Sequence, residues 1–302
     1  MSLPVYESLP YKATRVELRE NGVVVVTLTR SKQRNTFTND LLNEIVEMFD
    51  LFDRDDRVRV VVLTAEPNSP AFCAGADISG GWDGLWLPEN EKEGKHAHRD
   101  TGGVASMAIF RCRKITISAV NGHAAGVGVT GLQLPFDFRF VWEGAKISMP
   151  FVRRGIVPEA VSSYILPKLV GHSRAISLLL SGSTLPATSH LLTPLWHAIL
   201  PTREEVFPAA YAFAQELAQN TSQTSIAVTK ALIWRNADSV EGQHLLDSRA
   251  MRELGGSGDA AEGARAFMER REVRMKDTLS KDLGNWVPWW NQVDIKHRKA
   301  KL

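Results

Sequence analysis

Residues 71–78 read AFCAGADI, a run of small side chains that follows soon after the apolar, β-branched RVVVLT at 59–64. Alanine and glycine there let a second backbone or a ligand come close and leave peptide N–H groups open to a negatively charged oxygen. A tight turn after a strand would use the same residues. A second stretch of this kind, NGHAAGVG at 121–128, follows another apolar run, ITISAV at 115–120, and leads into the helix-like VTGLQL. Two small-residue loops behind two strands can supply one N–H donor each.

Working outward, VVVVTLT at 23–29 follows the turn pair Asn21-Gly22 and predicts a buried strand. Thr38, Asn39 and Asp40 offer caps for a helix in which Leu41, Leu42, Ile45, Met48, Phe49 and Phe52 recur at helical spacing. FRFVWE at 138–143 adds a further strand, and residues 102–112 a further helix. Apolar runs without alternation predict strands covered on both faces, and their interleaving with helices is the rhythm of an α/β domain with right-handed crossovers. This organisation spans residues 1–203. From Glu204 the character turns helical: VFPAAYAFAQELAQ, SIAVTKALIWRNA, GQHLLDSRAMREL and AAEGARAFMERREVRMKDTL all carry helical patterns, which makes 204–302 a helical C-terminal module with a tail.

The near balance of 36 basic against 34 acidic residues gives no whole-chain field to recruit nucleic acid or a membrane surface. No apolar run approaches the ~20 residues needed to cross a bilayer, so membrane insertion is not expected. Cys73 and Cys112 have neither a disulfide framework nor a metal-ligand spacing, and free thiols in a reducing compartment are expected, with no metal. The chain ends Ala300, Lys301, Leu302, a small-basic-Leu ending like the Ser-Lys-Leu address, which points to a peroxisomal import receptor as a partner and to the peroxisome, otherwise the cytoplasm, as the location.

AFCAGADI resembles the AFAAGADI-type motif of the crotonase superfamily, the enoyl-CoA hydratases and isomerases, and AVNGHAAGVGVT resembles its second loop. The likeness runs from about Thr14 through GDAAEGARAFMERR at 258–271. It implies a crotonase-like ββα superhelix with a helical C-terminal module, assembled as a homotrimer or homohexamer, acting on a coenzyme A thioester without any further cofactor. It also implies that the backbone amides of Ala76 and Val127 hold the thioester oxygen as an enolate. Independently of the likeness, removing a proton beside a thioester puts charge on the carbonyl oxygen, and losing one preorganised donor costs ~3 kcal/mol of barrier.

Carboxylates decide which reaction follows. The hydratases of this superfamily carry two glutamates, and the positions here that match them are Thr130 and Phe151, neither of which can act as a base near neutral pH. What remains is Glu159. Its segment, PEAVSSYILPKLVG, is similar to the PEGxSSYxxPKxxG stretch of the peroxisomal Δ3,Δ2-enoyl-CoA isomerases, where the glutamate shuttles the proton. One carboxylate suffices for a 1,3-proton shift from C2 to C4. The neighbours Val157, Ala160, Val161 and Tyr164 are expected to desolvate it and raise its pKa. The competing reading is a first-turn helix carboxylate placed after Pro158 to suit the helix dipole.

Coenzyme A needs basic groups at the mouth of its pocket. RSKQRN at 30–35 offers Arg30, Lys32 and Arg34, which are equally consistent with a solvated turn. The resemblance adds Ala74 on the first loop, and Phe267 and Arg270 in the helical tail, as coenzyme A contacts; Phe267 at helical spacing is equally consistent with core. His123 lacks acidic or cysteine partners and reads as structural, and Ser162 and Ser163 lack a triad. Trp82 and Trp86 stand in a segment, 82–100, that reads as a mobile or substrate-facing loop, and Trp286, Trp289 and Trp290 read as packing on the body or on a neighbouring subunit. Two other functions fit the same residues: a specialised hydratase or lyase using Glu159 alone, or a noncatalytic acyl-CoA-binding assembly protein.

Overall fold

The computed structural model describes residues 4–81 and 98–295; Trp82, Trp86 and the terminal Ala300, Lys301 and Leu302 lie outside them. The dominant sheet contains β1 (Thr14–Leu18), β2 (Val23–Leu28), β3 (Val60–Ala65), β5 (Ile115–Val120), β7 (Phe138–Trp142) and β10 (Ala198–Leu200), side by side in that order. Only β1 runs antiparallel to its neighbour; the other pairings are parallel. A second sheet is formed by β4 (Ala71–Cys73), β6 (His123–Ala125), β8 (Lys146–Ser148) and β9 (Thr184–Pro186).

The unalternating strands are buried on both faces, as their sequences predict. Along β2 and β3, Val24, Val26, Val61 and Leu63 enter one core, while Val23, Val25, Val60 and Val62 enter another on the opposite face. Helix α1 (Asn39–Arg54) closes the first core with Leu41, Ile45, Met48, Phe49 and Phe52, and starts where the Thr38 hydroxyl accepts the Leu41 amide at 3.3 Å. Helix α2 (Thr101–Arg111) adds Ala105 and Ile109 to the same core. Helix α6 (Arg203–Asn220) covers the other face with Val206 and the small residues Ala210, Ala214 and Ala218, so the helical C-terminal region supplies one lid of the sheet.

Beyond it come α7 (Gln223–Trp234), α8 (Val240–Leu254) and α9 (Gly258–Glu269). The last helix is shorter than its periodicity predicts: Arg270 adopts φ 52°, a left-handed cap, and residues 270–278 continue without helix. The tryptophan tail folds back on the body, where Trp286 is buried against Val228 and Ala250, stacks on Trp289 at 5.5 Å, and the Trp289 indole N–H donates to Arg235 O.

The second sheet positions the two small-residue loops. β4 and β6 run parallel and pair through Ala71 with His123 and Cys73 with Ala124, so their following loops emerge at the same edge. The contact leaves no room for side chains: a Cβ on Gly75 would stand 3.2 Å from Ala125 O, and one on Gly128 would stand 2.3 Å from Cys73 O. Behind the second loop the helix-like stretch is a single turn, α3 (Val127–Thr130), which ends before Pro135. Substituting Gly128→Ala forces backbone against backbone and is expected to destabilise the chain by about 1–3 kcal/mol, read as a lowered denaturation midpoint in urea.

Candidate active site

Each loop presents an amide that donates to no other described group. In the first, Phe37 N–H donates to Gly75 O and Asp77 N–H donates to Phe37 O, both at 2.9 Å. That parallel bridge leaves the intervening Ala76 amide without a partner among the described residues. In the second, Gly126 N–H donates to Ser148 O at 3.0 Å with φ 51°, and Val127 opens α3. The Val127 amide, the first of the helix, has no intrahelical acceptor and donates to no other described group.

Glu159 is not a first-turn helix residue. Helix α4 (Ser162–Val170) begins three positions later, and Ala160 and Val161 intervene with φ of 57° and 60°. Left-handed backbone at a β-branched residue is disfavoured by roughly 1–2 kcal/mol and persists where surrounding contacts impose it. Here the carbonyl of Glu159 accepts from the Ser162 hydroxyl at 2.5 Å and the Ser162 amide at 3.1 Å, and the Ala160 amide donates to Asp100 Oδ2 at 2.9 Å. The strained turn folds the Glu159 side chain inward.

The desolvating surroundings also differ from those expected of its sequence neighbours. Val157 is 77% exposed and Tyr164 49% exposed. The carboxyl is instead enclosed by residues distant in sequence. Thr130 donates its hydroxyl to Oε1 at 2.6 Å, and the space a Cβ on Gly102 would occupy lies 1.7 Å from Oε2 and 3.1 Å from Val127 Cγ2. Burial pushes the Glu159 carboxyl up to about 8, with the negative charge of Asp100 adding to the rise and the Thr130 hydroxyl opposing it. Thr130, the position matched to a hydratase glutamate, is thus a neighbour of Glu159, and Phe151 is buried in the core.

Two contributors were not singled out by sequence reasoning. Asp100 caps α2 by accepting the Gly103 amide at 2.6 Å, and with the same oxygen holds the Ala160 amide. Gly102 makes room for the Glu159 carboxyl. The signal was present in DTGG at 100–103: an Asp cap followed by two glycines inside a helix, where glycine is otherwise unfavourable, calls for a close approach.

The basic turn abuts the first loop, since Ala74 N–H donates to Arg34 O at 3.1 Å and Asn35 donates its side-chain amide to Ala71 O at 3.1 Å. Arg30 is committed inward, donating to Thr36 O at 2.9 Å and facing Asp77 at 3.8 Å. Lys32 and Arg34 are exposed and form no ion pair among the described residues. Phe267 is 85% exposed, which overturns its reading as core; within one chain no hydrogen bond, ion pair or ring contact links Phe267 or Arg270 to either loop among the described residues. His123 accepts the Lys146 amide at 3.0 Å through Nδ1, a structural role. Both cysteines are free and buried, and among the described residues no group of His, Cys, Asp and Glu is arranged to hold a metal ion.

A family model described as enoyl-CoA hydratase/isomerase matches residues 18–278. An enoyl-CoA hydratase of Alternaria alternata is 39% identical, with 88% of this chain and 87% of that protein covered. A 1,2-epoxyphenylacetyl-CoA isomerase of Escherichia coli is 28% identical over 83% of this chain and 94% of its own length. Among solved structures, a probable enoyl-CoA hydratase/isomerase from Mycobacterium abscessus superposes with a TM-score of 0.78 at 36% identity, covering 88% of this chain and 99% of the other.

Gly102→Ala separates stability from the site. Alanine is the better helix former by roughly 0.5–1 kcal/mol, yet its Cβ must displace the Glu159 carboxyl. Melting is expected to change by only a few degrees, while turnover of an acyl-CoA substrate falls by about two orders of magnitude.

Proposed function

We propose that this chain, which belongs to the enoyl-CoA hydratase/isomerase family, shifts the double bond of a 3-enoyl-CoA to the 2-trans-enoyl-CoA. The observation that carries the reading is the desolvated Glu159 carboxyl packed against the turn that Val127 opens. Glu159 takes a proton from C2, and the electron pair moves onto the thioester oxygen as a dienolate held by the amides of Ala76 and Val127. Glu159 then returns the proton at C4. A carboxylate stripped of water is a stronger base than a solvated one, and preorganised amides favour the charge that develops over the ground-state carbonyl. In this reading Lys32 and Arg34, exposed beside the first loop, meet the phosphates of coenzyme A.

A second reading, hydration of a 2-enoyl-CoA, is favoured by one specific observation: Asp100 lies beside Glu159, so a second carboxyl is near enough to help orient water. Against it, Asp100 Oδ2 is already engaged by two backbone amides. Product analysis with 3-enoyl and 2-enoyl thioesters separates the two reactions.

The isomerisation reading predicts that Glu159→Gln lowers turnover of a 3-enoyl-CoA by about a thousandfold, and undiminished conversion refutes it. Because the base must be ionised, kcat/KM is expected to rise about tenfold per pH unit and level off above about 8. Stability runs the other way. The folded-state value lies above the ordinary 4.5, so the contribution of this group is full below 4.5 and is lost as pH rises through about 8. Glu159→Gln is therefore expected to melt progressively higher than the wild type as the medium becomes alkaline, with little difference at acid pH, in paired thermal scans.

A further inference from the structure

Thr130 is fully buried, carries one hydroxyl hydrogen and faces two acceptors. Its Oγ1 lies 2.6 Å from Glu159 Oε1 and 3.1 Å from Gly126 O, a carbonyl that also accepts the Val129 and Thr130 amides at 2.8 and 3.0 Å. Gly126 O belongs to the peptide unit whose N–H is that of Val127. The base and one proposed oxyanion donor are therefore joined by a single hydroxyl.

We propose that Thr130 is a positioning residue that couples the protonation of Glu159 to the donor strength of the Val127 amide, an inference that rests on the enolate chemistry proposed above. With Glu159 ionised, the hydroxyl points at Oε1 in a short, charge-assisted bond. When Glu159 takes the α-proton, the electron pair of the C–H bond moves to the thioester oxygen and the carboxyl becomes neutral. Oε1 then loses its advantage as an acceptor, and the hydroxyl hydrogen rotates to Gly126 O. No second proton is transferred. A carbonyl that accepts a hydrogen bond polarises its planar peptide unit, and the N–H at the other end becomes a better donor. The Val127 amide grips harder in the step in which the oxygen becomes negative, and relaxes when the proton is returned.

Threonine hydroxyls in helices commonly bond the carbonyl four residues back for structural reasons alone. The test must therefore read more than stability. Acetoacetyl-CoA, whose enolate absorbs in the near ultraviolet, reports enolate stabilisation without turnover. Bound to Thr130→Val it is expected to show an enolate-to-keto ratio about tenfold below that on the wild type, with kcat on a 3-enoyl-CoA reduced by about 10–100-fold and KM changed by less than about threefold. The acid limb of the pH profile is expected to move upward, because the hydroxyl favours the ionised base. Thr130→Ser restores all three. A wild-type enolate ratio in Thr130→Val overturns the coupling, as does a Thr130→Ser variant no better than the valine. Failure of the isomerase reading is separately visible, as a wild-type chain that leaves the double bond of a 3-enoyl-CoA in place while the enolate ratio still depends on Thr130.

Discussion

A carboxyl largely withdrawn from water, with the Asp100 carboxyl close by, is the constraint on which the site depends, since an ionisable group so placed must be held there by everything around it. In this chain the holding is done by backbone. Asp100 anchors the Ala160 amide, Ser162 anchors the Glu159 carbonyl, and the two left-handed residues between Glu159 and α4 turn the side chain inward. Gly102 supplies the vacancy that the carboxyl fills. Each of these groups fixes where the Glu159 carboxyl stands.

The sheets serve the same end. The parallel pairing of β4 with β6 brings two glycine- and alanine-rich loops into contact, which is how the Ala76 and Val127 amides come to share one edge. In the larger sheet β2, β3 and β5 are buried along their whole length, and α6 extends the cover with alanines small enough to lie close to it. Fold and site are thus linked by close backbone approach, which only the smallest side chains permit. Family membership is consistent with several reactions at such an edge.

Much of this was legible in the sequence because strand burial, helix periodicity and small-residue loops leave local patterns. The long strands, α1, α2 and the helical C-terminal region follow from spacing alone, and Glu159 stands out as an acid in an apolar stretch. The groups that desolvate it do not follow, because they are tertiary neighbours. Val157 and Tyr164, adjacent in sequence, face outward, while Thr130, Gly102 and Asp100 arrive from other elements. The end of α9 was overread for a related reason. Helical periodicity continues past Glu269, but the left-handed Arg270 stops the helix. Phe267 keeps helical spacing without any core to enter.

Burial of the Glu159 carboxyl requires that it be protonated in the folded protein near neutral pH. A difference infrared titration of the carboxylic C=O stretch, wild type minus Glu159→Gln, reads that directly and needs no substrate. A band present at neutral pH that disappears with a midpoint near 8 is the predicted result. A band already lost with a midpoint near the ordinary 4.5 would place that carboxyl in water and contradict the account.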